Sequence, residues 1–121
     1  MIDVLVVDDD RDTRETVRDL LEDEGLRVAT AGNGADALAW LRQHEAPRLV
    51  LLDLSMPTMD GTEFRRLQRA DEALAKIPTV VVSAAGELPH ELASMAADGH
   101  LAKPVTLEQL LDLVRRFCPQ E

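Results

Sequence analysis

Apolar residues fall along this chain in two alternating rhythms. Short continuous runs at Val4 to Val7, Leu26 to Ala29, Leu49 to Leu52 and Thr79 to Val82, with a weaker one at Leu101 and Ala102, read as buried strands. The stretches between them carry helical spacing. Val17, Leu20 and Leu21 mark a first helix that stops at Gly25, a residue suited to the left-handed conformation just past a helix end. Ala37, Leu38 and Leu41 mark a second helix and Phe64 and Leu67 a third. Leu88, Leu92 and Met95 mark a fourth that ends near Gly99, with Pro89 admissible only in its first turn. Leu107, Leu110, Leu111, Val114 and Cys118 form one apolar stripe on a last helix, and Thr106 with Gln109 makes a capping box at its start.

Five strand and helix units in strict alternation predict a parallel sheet with helices on both faces, because each crossover returns right-handed across the sheet. Strands buried on both faces read as continuous Val and Leu rather than as alternation with polar residues, and Val4 to Val7 and Leu49 to Leu52 do so. The expected fold class is therefore α/β, a doubly wound sandwich. A length of 121 residues is about one domain, and no internal repeat, low-complexity tract or linker interrupts it, so residues 1–121 are expected to form one module.

Composition narrows the class of partner. Apolar residues make up 45% of the chain and charged residues 30%, and no apolar run approaches the roughly 18 residues of a membrane span. The opening Met1-Ile2-Asp3 runs straight into the first strand with no basic segment or cleavage site, so a cytoplasmic location is expected. A net charge of −10 argues against direct binding to nucleic acid, which draws on clustered Lys and Arg. Cys118, the single cysteine, is expected to pack as a small hydrophobe.

In doubly wound sheets ligands bind beyond the carboxyl ends of the strands, where strand order reverses, so the residue after each strand is the one to read. The first strand ends in Asp8-Asp9-Asp10, the third in Asp53, the fourth in Ser83 and the fifth in Lys103-Pro104. Carboxylates brought to one edge repel, and one lysine cannot balance Asp8, Asp9 and Asp53 if all are ionised. A hard divalent cation resolves this, and oxygen-only ligands with a phosphate to share suit magnesium, bound directly by Asp9 and Asp53. A carboxylate is also a competent nucleophile toward phosphorus, with the metal, Lys103 and Ser83 offsetting charge on the phosphoryl oxygens.

At this point VLVVDDD at 4–10, LLDLSMP at 51–57, VVVSA at 80–84 and LAKP at 101–104 resemble, in order and spacing, the receiver domains of two-component response regulators. The resemblance covers the whole chain. It implies a flavodoxin-like fold with strand order 2-1-3-4-5, a magnesium ion (Mg2+) held by Asp8, Asp9, Asp53 and the main-chain carbonyl of Ser55, and Asp53 as phosphoacceptor. Ser83 and Lys103 take the family's hydroxyl and lysine positions. The implied partners are a sensor histidine kinase or histidine phosphotransfer protein and an unidentified output protein or domain. The output is read through a face of the fourth helix, fifth strand and fifth helix. Such a protein is a switch acting on its own side chain rather than an enzyme.

The same residues admit other readings. Asp8 to Asp10 as helix caps alone leaves their neighbours unexplained, although Asp10 suits the N-cap. Gly32-Asn33-Gly34 before a helix mimics a dinucleotide fingerprint, but the acid cluster would repel a pyrophosphate. Asp8 and Asp10 also resemble the Asp-x-Asp pair of haloacid dehalogenase phosphatases, but Asp12 stands where that motif wants Thr or Val. Three positions depart from the receiver pattern. His100 stands where receivers usually carry Tyr or Phe, so it is either a pH-sensitive switch residue or a passive surface ring. Ser55 and Ala85 offer no carboxylate or amide to orient water, so unhurried self-dephosphorylation is expected. Trp40, Met56 and Met59 are expected to pack.

Overall fold

The computed structural model describes residues 1–53, 61–83 and 97–119. Strands β1 (Val4–Val7), β2 (Val28–Ala31), β3 (Leu49–Asp53), β4 (Thr79–Ser83) and β5 (Gly99–Ala102) form one all-parallel sheet in the order β2-β1-β3-β4-β5. The described helices are α1 (Arg11–Asp23), α2 (Gly34–Gln43), α3 (Gly61–Ala70), the single turn α4 (Glu72–Ala75) and α5 (Leu107–Phe117). None is long and apolar enough to cross a membrane.

Alternate residues of the central strands serve two separate cores, which is why the strands read as unbroken apolar runs. Leu5, Val7, Val50, Leu52 and Val81 pack with Ala37, Leu38 and Leu41 of α2 and Phe64 of α3. Val4, Val6, Leu49, Leu51 and Val80 pack with Leu21 of α1, Leu110, Leu111 and Val114 of α5, and Cys118. Trp40 packs on the edge of the first core and stacks on the His44 ring at 4.3 Å. Burial pushes the Cys118 thiol up to about 11, so it behaves as the packed hydrophobe expected.

Local chemistry fixes the helix ends. Asp10, Asn33, Asp71 and Thr106 are the N-caps of α1, α2, α4 and α5, and Thr106 and Gln109 form the reciprocal capping box. After α1, Gly25 takes φ 88°, its N–H bonded to Glu22 O and that of Leu26 to Leu21 O, a Schellman turn.

Two expectations are corrected. Leu26 belongs to that turn and not to a strand; it is apolar because it plugs the second core, and β2 starts two residues later. Gly99 opens β5, and the end of the helix expected before it lies outside the described residues. A Cβ at Gly99 would stand 3.2 Å from Val80 Cγ2 and 3.4 Å from Leu113 Cδ1, so glycine lets the last helix close on the edge strand. Leu88, Pro89, Leu92 and Met95 lie outside the described residues. Leu107 is exposed, at the rim of a groove between α1 and α5, whereas the rest of its stripe is buried.

The turn α4 and the polar character of α3 had no counterpart in the apolar pattern. Arg65 Nη1 donates to Gln68 Oε1 (2.9 Å) and Thr79 Oγ1 (3.2 Å), while Gln68 Nε2 donates to Thr79 Oγ1 (3.0 Å) and Leu74 O (3.2 Å). These buried bonds tie α3 and α4 to the start of β4. Phe64, fully buried beside them, is the apolar anchor of α3. Phe64→Ala is expected to cost about 3–5 kcal/mol by urea unfolding, the usual effect of emptying such a site. A loss under about 1 kcal/mol would mean that α3 is held by its polar network instead.

Candidate functional site

Strand order reverses between β1 and β3, since β1 pairs with β2 on one side and β3 on the other. At the carboxyl ends of these strands and their neighbours stand Asp8, Asp9, Asp53, Ser83 and Lys103. The position follows from parallel pairing, which brings the ends of successive strands to one edge.

The three consecutive aspartates have separate settings. Asp8 is buried; its N–H donates to Ala31 O (3.1 Å), its Oδ1 accepts the Asp10 N–H (2.9 Å), and its carbonyl accepts Arg14 Nη1 (2.9 Å). Asp9 is exposed. Asp10 caps α1, its Oδ1 accepting the Asp12 N–H (3.2 Å) and its Oδ2 the Thr13 hydroxyl (2.6 Å). The Thr13 hydrogen bond holds the Asp10 carboxyl below the usual carboxylate range. Arg14, one turn into the helix, braces the acidic loop by its backbone. The sequence held no motif for that contact, only an arginine one turn past a cap.

Asp53, 5% exposed, ends β3 with Lys103 Nζ 3.4 Å from its Oδ1. Lys103 is carried by the turn after β5, where its N–H donates to Ser83 O (2.8 Å) and its bond to Pro104 is cis. Ser83, 2% exposed, ends β4, and its Oγ lies 2.6 Å from His100 Nε2. Ser55, Met56, Met59 and Ala85 fall outside the described residues.

Asp8, Asp9 and Asp53 each offer one carboxylate oxygen, and the three oxygens lie within 4.8 Å of one another. Burial pushes the Asp8 carboxyl up, and Asp53 and Asp9 push it the same way, against the Asp10 N–H and Lys103. An all-oxygen cluster with excess negative charge fits a hard divalent cation of the magnesium kind.

The direction of the Asp8 shift gives a stability prediction. A carboxyl whose folded pKa is raised costs stability when ionised. That cost is fully present above its folded pKa and is relieved as pH falls through that value toward the ordinary aspartate value. Asp8→Asn keeps an acceptor for the Asp10 N–H, so in metal-free buffer it is expected to stabilise the chain at neutral pH, with the gain shrinking as the medium is acidified. Urea unfolding at both pH values checks this; a destabilised variant at neutral pH would contradict it.

Residues 4–115 match the family described as the response regulator receiver domain. The chain is 34% identical over 119 residues to sporulation initiation phosphotransferase F of Bacillus subtilis, covering 96% of this chain and 93% of that protein. It is 38% identical over 125 residues to response regulator MprA of a Mycobacterium species, covering 98% of this chain and 53% of that protein, so it spans about half of that relative's length. The solved structure of chemotaxis protein CheY4 from Vibrio cholerae has a TM-score of 0.86 at 32% identity, covering 97% of this chain and 98% of that one.

Proposed function

The chain belongs to the response regulator receiver domain family, whose signalling turns on a phosphoacceptor, and from that premise we propose that Asp53 is the acceptor, with magnesium bound beside it. The donor is the phosphohistidine of a sensor histidine kinase or histidine phosphotransfer protein. The observation that carries this is the cluster of Asp8, Asp9 and Asp53 oxygens within 4.8 Å, with Lys103 Nζ 3.4 Å from Asp53 Oδ1.

An Asp53 carboxylate oxygen forms a bond to phosphorus as the phosphorus–nitrogen bond of the donor breaks, and the electron pair leaves on the imidazole nitrogen. The product is an acyl phosphate. Asp8, Asp9, Asp53 and the carbonyl of Ser55 would hold magnesium, which supplies charge neutralisation when bound. The Lys103 ammonium meets a phosphoryl oxygen in the place where it now meets Asp53, and the Ser83 hydroxyl donates to another. Because the reacting group is the protein's own side chain, the protein acts as a switch.

Phosphorylation would change the binding of an output protein or domain. The proposed surface is β5 and α5 with the segment read from Leu88, Leu92 and Met95 as a helix. With a net charge of −10, that output is expected to be a protein and not nucleic acid, in keeping with a cytoplasmic location.

Intact mass after incubation with magnesium and acetyl phosphate tests the reading. Gain of one acid-stable, base-labile phosphoryl group is expected. No gain from acetyl phosphate or from a phosphohistidine donor, with magnesium binding demonstrated separately, would turn the chain into a receiver that binds partners without being phosphorylated.

A further inference from the structure

His100 has no part in the chemistry assigned to Asp53, yet its ring reaches from β5 to the hydroxyl that ends β4. His100 Nε2 and Ser83 Oγ are 2.6 Å apart. Ser83 is buried, and among the described residues this ring nitrogen is the partner of its hydroxyl. A hydroxyl carries one hydrogen, and a buried donor left unpaired is costly. With the hydroxyl as donor, Nε2 accepts, and the ring then carries its proton on Nδ1.

A phosphoryl oxygen can only accept. For Ser83 to donate to it, the one hydroxyl hydrogen has to leave Nε2. The two side chains stay bonded only if Nε2 then carries a proton and donates it to an Oγ lone pair. We propose that His100 is a positioning residue: its ring holds the Ser83 hydrogen in the resting chain, and phosphorylation of Asp53 reverses the Ser83–His100 hydrogen bond so that Nε2–H donates to Oγ. The inference rests on Asp53 being the acceptor. The proton count closes simply. Nε2 takes one proton from water; Nδ1 gives one up if the ring stays neutral and keeps it if the ring becomes an imidazolium. No heavy-atom bond changes.

The ring nitrogens report the reversal directly. Long-range proton–nitrogen correlation on the full chain, with uniform nitrogen-15 labelling at one fixed pH, reads whether Nε2 is bare or protonated, and His100→Phe identifies the signal by its loss. With magnesium alone, Nε2 is expected at the position of an unprotonated ring nitrogen. With magnesium and acetyl phosphate, in a sample whose intact mass shows the added phosphoryl group, it is expected to shift to that of a protonated one. In Ser83→Ala the resting ring is expected to lose its single-tautomer signature, which a merely space-filling ring would not do. A mass gain with Nε2 unchanged, or an Nε2 already protonated at rest, overturns the inference and leaves Asp53 as acceptor. Absence of any mass gain overturns both.

Discussion

Asp53→Asn is expected to abolish phosphoryl uptake. The amide keeps the shape of the carboxylate at the end of β3 but lacks the charge and the nucleophilic oxygen. Loss of a catalytic nucleophile costs on the order of 10^6-fold in rate in other systems, enough to put uptake below detection by intact mass. The variant should still fold, because the change removes one charge from a cluster in which Asp8, Asp9 and Asp53 already crowd one another. Lys103 loses its 3.4 Å partner but stands 40% exposed and can turn to water. A variant with native melting behaviour and no mass gain is the expected combination. Equal gain on the variant would place the acceptor elsewhere.

Removing magnesium is expected to suppress uptake as completely. A phosphoryl donor brings further negative charge to an edge where three carboxylates face one lysine, so without a cation both approach and transfer are opposed. The same ion should stabilise the fold, by about 2.7 kcal/mol at one hundred times its dissociation constant. Intact mass with and without a chelator reads the first effect, and thermal melting across a magnesium titration reads the second. Asp8→Asn and Asp9→Asn should each blunt the magnesium response in both. Uptake indifferent to the chelator would remove the cation from the mechanism.

The layout of the fold was legible where one physical cause dominates. Strands β1 and β3 are buried on both faces, so composition alone marks them, and the last helix announces itself by its Thr106–Gln109 box and apolar stripe. Legibility failed where two causes competed. Leu26 has the composition of a strand residue and the backbone of a Schellman turn, and Gly99 resembles a helix stop but is a close-packed strand residue. The buried Arg65–Gln68–Thr79 network had no signal, because apolar periodicity is blind to polar groups that satisfy one another across 14 residues of chain. Asp8, Asp9, Asp53 and Lys103 could be placed together before any coordinates because parallel strands deliver their last residues to one edge. The Ser83–His100 bond needed the register of β4 on β5, which aligns Ser83 with Ala102 and cannot be read from either strand alone.

Borohydride reduction of the phosphorylated chain, followed by peptide mass mapping, reads the acceptor directly, since an aspartyl phosphate is reduced to homoserine. Homoserine at position 53 and at no other aspartate is the expected result. Homoserine at position 8, 9 or 10, or a phosphoryl group that resists reduction, would contradict Asp53 as the phosphoacceptor.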